Sequence, residues 1–279
     1  MAHGRLSLPA VVARLAAAGC VAADEEAGEL FAATGGEGPA LETAVRRREA
    51  GEPLAWITGT APFCGRDLSV APGVFVPRPQ TEALAERAAA LLVSLGVGAL
   101  AVDLCTGAGA VARHCAAAAP GATVVGVDCD RMSVDCARRN GVRAVLGDLG
   151  APLRDGCADV VTAVAPYVPT GALAFLPADV QRYEPRRALD GGPDGLDVVR
   201  RVIADARRLL RPGGWLLLEV GGDQDTVLHR PFEQAGFGDV RAWRDDEGDL
   251  RGMAARRRRS RPAERPRPPR PGPRLGVNR

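Results

Sequence analysis

Apolar residues recur at helical spacing from near the start of the chain. Between Leu6 and Leu30 they fall at Val11, Val12, Leu15 and Ala16, then at Ala27, Leu30 and Phe31, with a break at Gly19 and a restart after Ala22. This spacing predicts amphipathic helices. Another is predicted from Gly38 through Leu41, Ala44 and the basic run Arg46–Arg48, stopping before Gly51 and Pro53. Residues 1–52 therefore read as a small helical N-terminal domain. From Pro53 to Val76 the pattern changes to short extended pieces, Leu54–Thr58 and Leu68–Val70, punctuated by Gly59, Pro62, Gly65 and Pro72. That predicts a β-hairpin linker over residues 53–76. Thr81 then stands where it would cap a helix running to Val93.

Beyond this point strand and helix patterns alternate: Ala99–Leu104, Ala110–Ala119, Thr123–Val127, Arg131–Arg139, Ala144–Leu146, Val160–Val164, Leu196–Leu210, Trp215–Val220, Asp223–Ala235 and Val240–Trp243. Such alternation implies parallel pairing with right-handed crossovers, hence a doubly wound, mostly parallel α/β sheet over residues 77–255. Ligands in these sheets sit at the carboxyl ends of the strands. Asp103, Asp128, Asp148 and the Val164–Tyr167 turn all fall there, which puts them on one rim.

The run Asp103-Leu104-Cys105-Thr106-Gly107-Ala108-Gly109 reads as a strand end, a glycine turn and a helix start. Gly107 and Gly109 have no side chain to keep backbone N–H groups away from a ligand. Asp128 closes the next strand about twenty residues on, where nucleoside-binding units place a carboxylate for ribose hydroxyls. Two strands ending in acids around one glycine turn form a cofactor cradle. The turn lacks the third-glycine pattern of dinucleotide-binding dehydrogenases, and nothing after it resembles a hydride-transfer site.

Composition narrows the class. With 279 residues, 46% of them hydrophobic, the chain can bury a substantial core. No run of eighteen apolar residues and no apolar signal-peptide core is present, so no membrane partner and a cytoplasmic location are expected. The seven cysteines include no Cys-x-x-Cys pair, which argues against a disulfide framework or a closed zinc site, and no metal is expected. Residues 256–279 hold ten arginines against one glutamate, leaving a net −7 on residues 1–255 of a chain at +2. That Arg/Pro-rich stretch is expected to be a disordered tail, either a solvated extension or an arm for RNA, the ribosome or another polyanion.

The motifs also carry a resemblance. Gly51-Glu52-Pro53-Leu54-Ala55-Trp56-Ile57-Thr58-Gly59, Pro77-Arg78-Pro79-Gln80-Thr81-Glu82, the Asp103–Gly109 loop, Asp128 and Val164-Ala165-Pro166-Tyr167 follow the order and spacing of the release-factor (protein N5-glutamine) methyltransferases. Glu184-Pro185-Arg186-Arg187-Ala188-Leu189-Asp190-Gly191-Gly192 and Asp194-Gly195-Leu196-Asp197 extend the likeness, most closely to the actinobacterial branch, over about residues 5–250. The resemblance implies a class I S-adenosylmethionine-dependent methyltransferase whose helical domain recognises a peptide-chain release factor. Its acceptor would be the glutamine amide of a Gly-Gly-Gln motif.

Residue by residue, the resemblance sets the methionine part of the cofactor against Asp103, Cys105, Thr106, Gly107 and Gly109, the ribose on Asp128, and the adenine beside Asp148 and Leu149. It assigns Arg78, Pro79, Glu184 and Pro185 to the substrate side. At Cys105 the family usually has glycine. The family's Asn-Pro-Pro-Tyr, whose asparagine oxygen and following carbonyl accept from the substrate NH₂, reads here Val164, Ala165, Pro166, Tyr167. Val164 offers no side-chain acceptor, and an unpaired N–H in a desolvated pocket costs roughly 1–3 kcal/mol. Three functions stay open: a protein-glutamine methyltransferase that tolerates Val164, a methyltransferase with another amine or amide acceptor, and a cofactor-binding partner of the translation machinery without turnover.

Overall fold

The computed structural model describes residues 6–259. The chain opens with helices α1 (Leu8–Ala17), α2 (Ala23–Thr34) and α3 (Gly38–Glu49), which enclose Val11, Leu15, Ala27, Leu30, Leu41 and Val45. Arg14 ties α1 to α3 by ion pairs to Glu42 at 2.8 Å and Glu49 at 2.6 Å. Leu54–Thr58, expected as an extended piece, is instead a short helix, α4 (Leu54–Thr58). Pro53 precedes it, Gly59 ends it at φ 79°, and Leu54 and Ile57 pack on the helical cluster. The hairpin begins only afterwards, as β1 (Thr60–Phe63) paired antiparallel with β2 (Arg66–Ser69).

A 3₁₀ turn, Pro79–Thr81, leads into α5 (Glu82–Leu95). Thr81 does not cap this helix: its own backbone is already helical and its side chain makes no cap hydrogen bond. The remaining elements are β3 (Leu100–Leu104), α6 (Ala110–Ala118), β4 (Thr123–Asp128), α7 (Arg131–Arg139), β5 (Arg143–Leu146), β6 (Ala158–Ala163), α8 (Ala178–Tyr183), α9 (Asp197–Leu209), β7 (Leu210–Leu218), α10 (Gln224–Gln234), β8 (Phe237–Arg244) and β9 (Leu250–Arg257).

Seven strands form one sheet in the order β5-β4-β3-β6-β7-β9-β8. All pairs from β5 to β7 are parallel, and β9 runs antiparallel between β7 and β8. Helices cover both faces. One core holds Leu84, Ala88 and Leu92 of α5, Val111 of α6 and Val134 of α7, and the other Val199, Val202 and Ile203 of α9 with Leu228 and Phe232 of α10. The strand order reverses between β3 and β6, whose following connections leave to opposite sides and open a crevice at their carboxyl ends.

Arg256 and Arg257, expected to begin a disordered tail, belong to β9. The Arg256 guanidinium lies over the Trp215 ring at 5.6 Å and donates from Nε to the Gly213 carbonyl at 2.9 Å, so its charge is held by an aromatic face and a hydrogen bond. The rest of the expected tail, residues 260–279, and the first residues of the expected N-terminal domain, 1–5, lie outside the described residues. Among the described residues no helix is long and apolar enough to cross a membrane.

Candidate active site

The crevice is built around one buried acid. Asp103 is 2% exposed, and both carboxylate oxygens are bonded within the protein: Oδ2 accepts from the Thr106 hydroxyl at 2.6 Å, and Oδ1 from the Thr162 hydroxyl at 2.7 Å. Thr162 stands beside it because the parallel register of β3 and β6 pairs these two residues. On the other side Asp103 pairs with Gly126, where an added Cβ would come within 2.7 Å of the Thr106 hydroxyl oxygen. Burial pushes the Asp103 carboxyl up to about 6 despite these donors. Asp103 thus lines the cavity but acts on the loop, holding Thr106 down.

The loop then turns through Cys105 at φ 56° and Gly107 at φ 56°. This left-handed region favours glycine, so Cys105 is held there against its Cβ by the surrounding fold. Burial raises its thiol well above the usual range. Gly109 does not face the cavity: an added Cβ would meet Val142 at 2.9 Å and Ala137 at 3.0 Å, so this glycine lets α6 pack against α7.

Asp128 ends β4. Its Oδ2 accepts the Gly107 N–H at 2.9 Å and its Oδ1 the Asp130 N–H at 2.9 Å, fixing the carboxylate at the crevice edge. Each oxygen keeps a second lone pair. Burial shifts this carboxyl upward as well. Asp148 and Leu149 follow on the same rim. Asp148 is exposed and paired with Arg201 at 2.6 Å, whereas Leu149 is buried against the cavity wall.

The cavity itself runs from this rim to the end of β6 and is covered by Phe75, Pro77 and Thr81. Val164 and Pro166 line it, while Ala165 is buried behind them. Tyr167 turns away: its hydroxyl donates to Glu219 Oε1 at 3.1 Å, and it borders an adjoining groove with Pro169, Leu196 and Val227. Arg78 and Glu184 are paired with each other, Pro185 lines the cavity, and Pro79 is exposed at the start of the 3₁₀ turn.

Residues not singled out from sequence complete the site. Thr162 supports Asp103. Glu219, the first residue after β7, is 5% exposed, faces both Tyr167 and Thr81, and has its carboxyl raised by burial. A carboxylate ending the apolar run Leu216-Leu217-Leu218 was its available signal.

The donor set suits S-adenosylmethionine. Asp128 can accept from a ribose diol, Val127 and Leu149 offer apolar contact for a purine, and the four lining acids Asp103, Asp128, Asp130 and Asp148 outnumber the lining arginines Arg187 and Arg201, which pair with Asp130 and Asp148, so the lining favours a sulfonium cation. Together the crevice, the loop and the sheet order define a class I methyltransferase.

The comparisons narrow this class. Residues 102–176 match a family described as a methyltransferase domain. A methyltransferase structure from Pyrococcus furiosus superposes with a TM-score of 0.51 at 17% identity, covering 78% of this chain and 98% of that one. The release factor glutamine methyltransferase of Geobacter sulfurreducens is 41% identical over 211 residues, 73% of each chain. The 4-amino-L-phenylalanine/4-methylamino-L-phenylalanine methyltransferase of Streptomyces pristinaespiralis is 40% identical over 202 residues, 69% of each chain. The chain belongs to the release factor glutamine methyltransferase family, and its cofactor is S-adenosylmethionine.

Proposed function

We propose that the protein methylates the side-chain amide nitrogen of a glutamine in a peptide-chain release factor. The observation that carries this reading is the shared cavity: the Cys105–Gly107 loop and Asp128 form one wall, and Val164 and Pro166 form another. The bound cofactor supplies an electrophilic methyl group on a sulfonium. Asp128 orients it through the ribose, Cys105, Thr106 and Gly107 border its methionine part, and Asp148 and Leu149 border its adenine. The Ala165 carbonyl accepts one amide N–H and Tyr167 flanks the acceptor strand end. Arg78, Pro79, Glu184 and Pro185 form the protein-facing rim.

In the reaction the nitrogen lone pair forms the new N–CH₃ bond, the C–S bond breaks with its electron pair left on sulfur, and one N–H proton departs. An amide nitrogen is a weak nucleophile because its lone pair is delocalised, so catalysis rests on orientation. Incubation of the protein with labelled cofactor and a release factor, followed by mass spectrometry, is expected to find one methyl group on a glutamine. Cofactor binding by calorimetry without any transfer would overturn the reading in favour of a binding protein without turnover.

A second reading is favoured by Val164, whose apolar side chain replaces an acceptor, and by the similarity to an enzyme acting on an aromatic amine. In it the acceptor is a small-molecule amine, and 4-amino-L-phenylalanine in the same assay would be methylated while the release factor is not. The arginines of residues 260–279 support a contact with ribosomal RNA, read as RNA binding that weakens with salt and is lost when those residues are deleted.

A further inference from the structure

An NH₂ group presented at the end of β6 needs two acceptors, and Val164 supplies none from its side chain. Of the side chains lining the cavity that offer an oxygen acceptor, Asp103 and Thr106 are bonded to each other, and Asp128, Asp130, Ser133 and Asp148 belong to the β4 and β5 side, while Arg187 and Arg201 only donate. Thr81 remains. It is 5% exposed, lines the cavity from the cover segment, and its hydroxyl faces the Glu219 carboxylate. A hydroxyl that directs its proton to a carboxylate leaves its lone pairs for another donor. Glu219 is itself placed for this role, because Oε1 is engaged by Tyr167 while Oε2 is buried without a hydrogen-bond partner, which leaves it free to take a proton.

We propose that the Thr81 hydroxyl accepts one N–H of the substrate amide where Val164 cannot, and that the proton shed by the nitrogen passes through Thr81 to Glu219. The inference rests on the amide-methylation reading above. As the N–CH₃ bond forms, the N–H proton moves to the Thr81 oxygen, and the Thr81 hydroxyl proton moves to Glu219 Oε2. Glu219 returns it to solvent after product leaves. Thr81 is thus a catalytic residue that touches substrate, and Glu219 a positioning and proton-holding residue that acts through it. The charged and titratable groups facing Glu219 are Tyr167, Arg78 and Arg251.

The test uses the full chain with S-adenosylmethionine and a release factor, and monitors folding through Tm and affinity for S-adenosylhomocysteine. Thr81→Val is expected to lower kcat/KM by about ten- to a hundredfold with cofactor affinity retained. Thr81→Ser recovers most of that loss, and adding Val164→Asn to Thr81→Val restores substrate affinity. Glu219→Gln lowers kcat more than it raises KM, and it removes the rise of rate with pH that the carboxylate gives the parent. If Thr81→Val keeps the parent rate, or Val164→Asn rescues nothing, the assignment fails while the methylation reading stands. Should Thr81→Val not fold, the Glu219→Gln pH profile decides, and an unchanged acidic limb overturns the proposal. A parent that binds cofactor but never methylates the release factor overturns the underlying reading instead.

Discussion

The Arg78 guanidinium is paired with the Glu184 carboxylate across 106 residues of chain. Glu184 is nearly sealed, with 1% of its side chain exposed against 33% for Arg78, and its other oxygen has no hydrogen-bond partner. Arg78 also lies 4.9 Å over the Phe75 ring, so one side chain joins the cavity's cover to the segment following α8.

Removing either partner strands the other. Arg78→Ala leaves a buried carboxylate without its cation, and a loss of about 2 kcal/mol is expected, below the 3–5 kcal/mol of a fully buried pair because Arg78 is partly solvated. Urea denaturation of Arg78→Ala, Glu184→Ala and the double variant checks this. The double variant is expected to lose less than the two singles together.

Asp103 predicts an unusual pH dependence. Its folded-state pKa of about 6 lies above the unfolded value near 3.8, so between these values the folded protein holds more protons and stability from this group falls as pH rises. The fall amounts to about 2 kcal/mol from pH 4 to pH 7. Denaturation curves of the parent and Asp103→Asn across that range are expected to differ by this slope, the variant gaining relative to the parent as pH rises.

Cys105 stands at a positive φ, which inverts the usual effect of glycine. Cys105→Gly is expected to be more stable than Cys105→Ala by about 1 kcal/mol, because only alanine keeps the Cβ penalty. Thermal unfolding of the two variants checks the order.

Asp128→Ala is expected to weaken S-adenosylhomocysteine binding by about ten- to a hundredfold, since it removes the proposed acceptor for the ribose and frees the Gly107 N–H. Calorimetry measures this directly. Asp128→Asn is expected to fall between.

The alternation of strands and helices was legible because parallel strands buried on both faces read as largely apolar runs, as in Leu100–Leu104 and Thr123–Val127. Asp103 and Asp128 were legible as acids closing such runs. What escaped depended on partners distant in sequence. Thr81 has the residue type of a helix cap, but its hydroxyl faces Glu219 at the far end of the domain. Arg78 and Glu184 each looked available to a substrate until the fold placed them together. Leu54–Thr58 is only five residues, too short to show a helical period, and its Trp56 and Ile57 suit a strand equally well. The arginines at 256 and 257 concealed a strand because charge alone does not reveal that the Arg256 guanidinium lies over Trp215.

The position of β9 bears on how the molecule is made. The last described strand lies inside the sheet, between β7 and β8, both of which leave the ribosome before it. Until β9 emerges, β7 carries an unpaired edge whose backbone groups from Trp215 to Leu218 are open to other nascent chains. Sheet closure during biosynthesis must therefore wait for the arginine-bearing strand, which makes its arrival the step that ends the risk of misassociation.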